Sequence, residues 1–400
     1  MSTTESPLDF PFPNSTFNRL DERYAWLRAD RPVARVTLDT GTAWLVTRYD
    51  DVHAVLTDRR FSLAEAIKPA VPKLGTLMVP DGSILAMDPP EHTRLRGLVT
   101  KVFTARRIEE MRPDIQRIVD RLLGQLAEMT PPVDLIEHFA AALPIEIICE
   151  LLGVPTSDRH DFQEWGETVL AVSGRSMDEV MLAWQKLGEY LAVLVADKRR
   201  NPKPDLLSDL VAARDARDAL SEQEMIVFAF TLLVAGYETT KNQLAASLVI
   251  LRSRYPEQWQ RLVRAPELVI GAVDELLRYV PLFGVGVSAP RVALEDVRLG
   301  GAEIRAGEVV LASLPSANRD ETVFSDAEQL DVERGTNRHL AFGIGVHRCL
   351  GAQLARLELE LGLRGLLCRF PSLDLAVPED ELHWRTGNFI IGLHTLPVTW

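Results

Sequence analysis

The sequence predicts a mainly α-helical protein with a small β region, folded as one large domain over residues 1–400. Three observations predict it. Between Arg112 and Leu210 apolar residues recur at helical spacing, broken at Thr130-Pro131-Pro132, Gly153-Val154-Pro155 and Asn201-Pro202-Lys203-Pro204. Strand-like alternation is confined to short stretches, the clearest being Val33 to Val36 and Trp44 to Thr47 around the turn Asp39-Thr40-Gly41. No Ser/Gly-rich or Pro-rich linker divides the chain once its first residues are passed.

Composition excludes several functions. With 46% hydrophobic and 25% charged residues, the chain can bury a sizeable core and is no disordered segment. A net charge of −13, with no basic run beyond Lys198-Arg199-Arg200, argues against a nucleic-acid partner. No apolar run is long enough to span a bilayer, and Met1 to Asn14 has no signal-peptide pattern. Cys149, Cys349 and Cys368 are too few and too scattered for a disulfide framework or a zinc site, which fits a cytoplasmic setting.

In chain order, residues 17–30 read as a short helix, followed by the hairpin and a helix from Asp50 to Leu56. Ser62 to Met87 has no clean period and reads as a long functional loop. Asp88-Pro89-Pro90-Glu91 leads into a helix through Leu98, Val99, Val102 and Phe103, with His92 and Arg96 on one face. Taken alone, that pair is a basic surface stripe. Ser221 with Glu224 forms a capping box opening the longest helix, to Leu251. That helix is apolar all round from Met225 to Ala235, so it is buried. Ala235-Gly236-Tyr237-Glu238-Thr239-Thr240 interrupts it with poor core chemistry: a helical Gly costs about 1 kcal/mol against Ala, and Thr can bond back to the preceding turn. Such rule-breaking marks a site. Glu275 and Arg278 pair at i and i+3, and β pattern returns at Leu282 to Arg291, Val309 to Leu314 and Phe389 to Leu393.

The loop from Phe342 to Gly351 presents Cys349 and then becomes a helix, with Leu350, Leu354, Leu357 and Leu361 at helical spacing. A cysteine near a helix N-terminus gains from the dipole, which predicts a lowered thiol pKa and either a nucleophile or a metal ligand. Gly343, Gly345 and Gly351 strip side chains from the loop and suit a flat, bulky partner such as haem.

The pattern Phe342-Gly343-x-Gly345-x-His347-x-Cys349-x-Gly351 resembles the cysteine loop of the cytochrome P450 family. The resemblance implies the cytochrome P450 fold and haem b as cofactor, its iron held by the Cys349 thiolate. It implies that Phe342, Gly343, Gly351, Ala235 and Gly236 border the cofactor and that His92, Arg96, Arg291 and His347 meet its propionates. Glu238 and Thr239 match the acid–alcohol pair that delivers protons during O₂ activation. Glu275 and Arg278, with Arg334 as third member, match a buried charge network. Val285, Val287, Ser288, Asn388 and Phe389 fall where relatives line the substrate pocket, and the helices around Trp165, Val169, Met177 and Met181 fall where relatives carry a mobile lid.

The activity implied is that of a monooxygenase fed by a separate ferredoxin and ferredoxin reductase, with Lys101, Arg106, Arg107, Arg348 and Arg356 as a positive docking patch. The substrate implied is a small natural product of secondary metabolism. A likeness to the cyclodipeptide-acting branch, typified by mycocyclosin synthase, runs through Arg60-Phe61-Ser62, Pro72-Lys73-Leu74, Val79-Pro80, Asp374 to Pro378, Trp384-Arg385-Thr386, Leu396-Pro397 and Trp400. It points to hydroxylation or oxidative coupling of an aromatic cyclodipeptide. Hydroxylation or epoxidation of a polyketide or macrolide is the alternative. A haem-thiolate sensor or carrier is the alternative of another class.

Overall fold

The structure is a computed structural model, describing residues 6–12, 19–68, 71–72, 82–100, 103–170, 176–217, 221–283, 286–385 and 390–400. The small β region gathers around one mixed sheet. Its strands are β1 (Leu8–Asp9), β2 (Val33–Leu38), β3 (Gly41–Val46), β4 (Phe61–Ser62), β6 (Arg291–Ala293) and β9 (Val309–Ala312). They lie in the order β1-β2-β3-β9-β6-β4. The β2–β3 hairpin pairs Leu38 with Gly41 and Val33 with Val46, so alternate residues face the core as the sequence period requires. A second sheet joins β10 (Asp374–Leu375), β11 (Pro397–Thr399) and β5 (Val133–Asp134). A separate ribbon pairs β7 (Val297–Leu299) with β8 (Ala302–Ile304).

The helical part begins with α1 (Arg23–Asp30), α2 (Tyr49–Thr57), α3 (Glu91–Val99), α4 (Ala105–Glu110) and α5 (Arg112–Ala127). It continues through α6 (Ala142–Leu152), α7 (Arg159–Leu170), α8 (Met177–Arg200) and α9 (Leu206–Arg217). The axis is α10 (Glu222–Ser253), opened by the Ser221/Glu224 capping box. After it come α11 (Pro256–Arg264), α12 (Val269–Tyr279), the single turn α13 (Leu314–Ala317) and α14 (Ala352–Arg369). One hydrophobic cluster joins α5, α6, α8, α10, α12 and α14, through residues such as Leu122, Ile148, Leu187, Leu248, Leu276 and Leu366. Burial on all sides explains why α10 reads as apolar all round.

Several expected elements are shorter than their patterns. The first helix starts at Arg23 and the helix after Pro90 ends at Val99, short of Phe103. Leu282 to Arg291 is not a strand. Phe283 makes one isolated bridge to Ile390, residues 284–285 lie outside the described residues, and ladder pairing starts at Arg291. The cause is local: Pro290 has no N–H to give, and Gly286 turns with φ 70°, where a Cβ would meet Tyr24 Oη at 2.3 Å. The C-terminal stretch likewise keeps only the bridges at Ile390 and Leu393, and residues 386–389 lie outside the described residues.

The buried charge network forms as expected and is more fully satisfied than its three members suggest. Arg278 and Glu275, both fully buried, meet through Nε–Oε2 and Nη2–Oε1 bonds of 2.7 Å. Arg334 Nε donates to Glu275 Oε2 at 2.9 Å, and Asn337 Nδ2 and the Asp331 backbone N–H add bonds of 3.1 and 3.0 Å. Arg278 also donates to the carbonyls of Asn318, Ala327 and Gln329 at 2.7–2.8 Å, which ties α12 to the segment leading into the cysteine loop. Removing one partner strands the others without water. Glu275→Leu is expected to destabilise the fold by about 3–5 kcal/mol, against under about 0.5 kcal/mol for Glu110→Ala in the exposed Arg106 pair. Urea midpoints for the two variants give the comparison.

Candidate active site

Cys349 is delivered by a closed loop. Its N–H donates to Phe342 O at 2.8 Å, and Gly343 and Gly345 turn the chain with φ 62° and 76°. At Gly345 a Cβ would press on Leu56 O of α2 at 2.6 Å, so this glycine seats the loop on α2. At Gly343 and Gly351 a Cβ would meet no atom within 4 Å, so protein leaves the loop bare there, as a flat partner requires. Phe342 packs under the Arg356 guanidinium, 4.8 Å from the ring centroid.

The thiol differs from expectation in two respects. The helix starts at Ala352, three residues later, so Cys349 does not feel a first turn directly. Its pKa is raised: burial outweighs the bond from the Gly351 N–H and the charges of Arg96, Arg348 and Arg356. Cys349 is nevertheless solvent-accessible as a residue, because one side of its loop carries no covering side chains. A thiol so placed gives up its proton to a metal rather than to water.

Beside it lies a cluster of basic side chains, two arginines and two histidines, facing one acid. His92 is 2% exposed and, among the described residues, its Nδ1 has no hydrogen-bond partner. Its ring centroid lies 4.2 Å from that of His347. Arg291 is 5% exposed and, among the described residues, donates to the carbonyls of Ala289 and Pro290, at 3.0 and 3.2 Å. Burial draws Arg291 down to about 10. Burial, then the charges of Arg291 and His92, draws His347 down to about 3. Arg96 is lowered by burial too, and it donates to Arg348 O. The acid facing them is Asp88, 3.9 Å from His347 Nε2 and tied to Ser62 Oγ and the Leu63 N–H. Two desolvated guanidiniums, with the imidazoles of His92 and His347 as further donors and one carboxylate facing them, form a site for an anionic group. Asp88 was not singled out by sequence, though it stands four residues before His92.

On α10, Ala235 is exposed in mid-helix between the buried Leu233 and Tyr237, and Thr239 Oγ1 donates to Ala235 O at 2.6 Å. Gly236, expected to border the cofactor, is also needed for packing. A Cβ there would meet Ile148 Cδ1 of α6 at 3.0 Å, so it serves helix packing. Glu238 is 6% exposed and fully engaged. Lys241 Nζ and Asn242 Nδ2 donate to it at 2.7 and 2.8 Å, and Arg385 Nη2 makes a close third contact. Burial alone would raise its pKa, but the Lys241 and Arg385 charges outweigh burial and the net shift is downward. Lys241 and Asn242 stand at i+3 and i+4 and were visible to helical spacing; Arg385 was not.

The expected pocket residues fare unevenly. Val287 is fully buried and packs with Tyr24, Leu27, Val292 and Leu311 in the core beside the main sheet, so it is no pocket residue. Ser288 is nearly buried, its hydroxyl making only a 3.5 Å contact to Ala289 O. Val285, Asn388 and Phe389 lie outside the described residues. Trp165 and Val169 pack against the main core, while Met177 and Met181 are 64% and 54% exposed. The expected docking patch is largely neutralised: Arg106 pairs with Glu110, Arg107 with Asp209 and Arg356 with Asp274. Arg348 remains exposed, and Lys101 lies outside the described residues.

The family profile described as Cytochrome P450 matches residues 11–397. The chain belongs to the cytochrome P450 family. It is 48% identical to nocardicin C N-oxygenase of Nocardia uniformis subsp. tsuyamanensis, over 98% of each chain. It is 47% identical to mycinamicin IV hydroxylase/epoxidase of Micromonospora griseorubida, over 100% of each. The solved structure of the mixed-function P450 MycG superposes with a TM-score of 0.93 at 46% identity, covering 99% of this chain and 100% of that one. As a P450 the chain is a monooxygenase, and its cofactor is haem with an axial cysteine thiolate. No helix among the described residues is long and apolar enough to cross a membrane.

The two arginines and two imidazoles fit the two propionates of that cofactor, and the bare cysteine loop fits its flat face. Arg291→Met therefore has effects of opposite sign in the two forms of the protein. Apoprotein is expected to unfold at a higher temperature than wild type, since a desolvated charge is gone, while haem transfers to an acceptor apoprotein at least about tenfold faster. Scanning calorimetry and haem-transfer kinetics measure the two.

Proposed function

We propose that this P450 inserts oxygen into a polyketide-type secondary metabolite, hydroxylating or epoxidising it, with electrons from a ferredoxin and its reductase. The observation that carries the substrate class is the full-length similarity to the mycinamicin IV enzyme, 47% over 399 residues. Bound haem supplies reductive activation of O₂. The Cys349 thiolate would hold its iron, and His92, Arg96, Arg291 and His347 would hold its propionates. Phe342, Gly343 and Gly351 border it on the cysteine side, and Ala235 opens α10 toward it. Thr239 orders the proton supply with its hydroxyl, and Glu238 is the acid behind it. Arg348 is the exposed cation left for an acidic electron donor on the cysteine side.

The residues behind the likeness to cyclodipeptide-acting relatives work for the fold here. Trp400 packs on Phe370 with ring centroids 4.7 Å apart, Asp374 and Leu375 pair with Thr399 and Val398, and Arg385 serves Glu238. An aromatic cyclodipeptide thus remains the second reading, favoured by the nearly buried Ser288 hydroxyl with its single long contact.

One binding panel separates the two. Macrolide aglycones are expected to drive the haem spectrum to high spin at micromolar concentration, and aromatic cyclic dipeptides to leave it unchanged; the reverse result overturns the substrate class. With the substrate so found, Thr239→Ala is expected to keep haem content and binding while product per NADPH falls by about an order of magnitude or more. Unchanged coupling removes Thr239 from the mechanism.

A further inference from the structure

The Trp384-Arg385 pair belongs to the C-terminal segment, which folds back on itself: the Arg385 N–H donates to Gly392 O at 2.8 Å, and Trp384 bridges Leu393. From there Arg385 reaches 147 residues back along the chain to α10, where Nη2 contacts Glu238 Oε1 and donates to Asn242 Oδ1 at 3.2 Å. The approach exists because residue 392 is glycine. A Cβ there would meet Arg385 Nη2 at 2.2 Å and Asn242 Oδ1 at 2.6 Å. The guanidinium meets α10 through Nη2, while among the described residues its Nε is buried without a hydrogen-bond partner. The charged groups facing Glu238 are thus one from its own helix, Lys241, and one from the C-terminal segment, Arg385.

We propose that Arg385 is a positioning residue for the reaction: passing through the gap left by Gly392, it fixes the orientation and the charge of the Glu238 carboxylate. The proposal deepens the reading of Glu238 as the acid behind Thr239 and rests on it for its catalytic meaning. Lys241 cannot replace Arg385, because it comes from one turn along the same helix and holds the other carboxylate oxygen, Oε2. Asn242 brings no charge. With Arg385 gone, burial regains ground against a single remaining cation, so the carboxyl takes up a proton at higher pH.

The test is infrared titration of haem-loaded protein in the protonated-carboxyl region, with Glu238→Gln assigning the band. Wild type is expected to show the Glu238 band only below the ordinary carboxylic-acid range, and Arg385→Gln a band that persists to clearly higher pH than in wild type. The band should vanish in the double variant with Glu238→Gln. Arg385→Lys should keep the wild-type behaviour in part. Gly392→Ala, which leaves the charge but blocks its path, should behave like Arg385→Gln and carries the test if that variant does not load haem. The pH profile of product per NADPH is expected to gain an acid-side limb at the infrared midpoint. A variant that loads haem, yet shows neither the band nor the limb, overturns the proposal. If Glu238→Gln leaves coupling intact while the band still appears in Arg385→Gln, the role of Glu238 in proton supply falls and the hold of Arg385 on it stands.

Discussion

Buried charge is the constraint on which the rest of the structure depends. Glu275, Arg278 and Arg334 show the case closed by protein alone, with every carboxylate oxygen bonded and Arg278 spread over three carbonyls. His92, Arg291 and His347 show the case left open. They are basic side chains kept from water, Arg291 charged and the two imidazoles pushed toward their neutral form, with one nearby acid and, among the described residues, an orphaned imidazole nitrogen. A folded chain retains such a deficit only where a ligand makes it good. The first network builds the frame that carries the cysteine loop, and the second selects an anion-bearing cofactor beside that loop. Cys349 obeys the same rule. Its thiol is held above its ordinary value by burial, so its charge appears when a metal takes the place of the proton.

The long helix α10 joins these centres because it is buried along its length and yet broken in sequence logic at one point. Thr239 bonds back to the exposed Ala235, Gly236 gives way to Ile148, and Glu238 turns to Lys241, Asn242 and Arg385. Each departure from good helix chemistry has a partner on another element or on the adjacent turn. The C-terminal segment enters the site through this acid.

Much of this was legible in the sequence, for reasons that can be named. Helical period marked α10 and its capping box, alternation marked the β2–β3 hairpin, and i,i+3 spacing marked Glu275 with Arg278. Interactions within a turn or two of chain are written in spacing. What spacing does not carry is the far partner. Arg385 lies 147 residues from Glu238, and the alternation around Val287 suggested a pocket strand where a proline and a left-handed glycine make a bend packed on the sheet. The thiol pKa was misread for a related reason: the dipole is a local feature, whereas desolvation depends on everything folded around the sulfur.

The central claim is that Cys349 becomes a thiolate ligand to haem iron beside the cluster of His92, Arg96, Arg291 and His347. Its most direct measurement is the absorption spectrum of the reduced, carbon monoxide-treated protein. The account predicts a Soret band at about 450 nm in wild type, lost in Cys349→Ser. Freshly purified, folded protein that binds haem with the band at about 420 nm in both would contradict it.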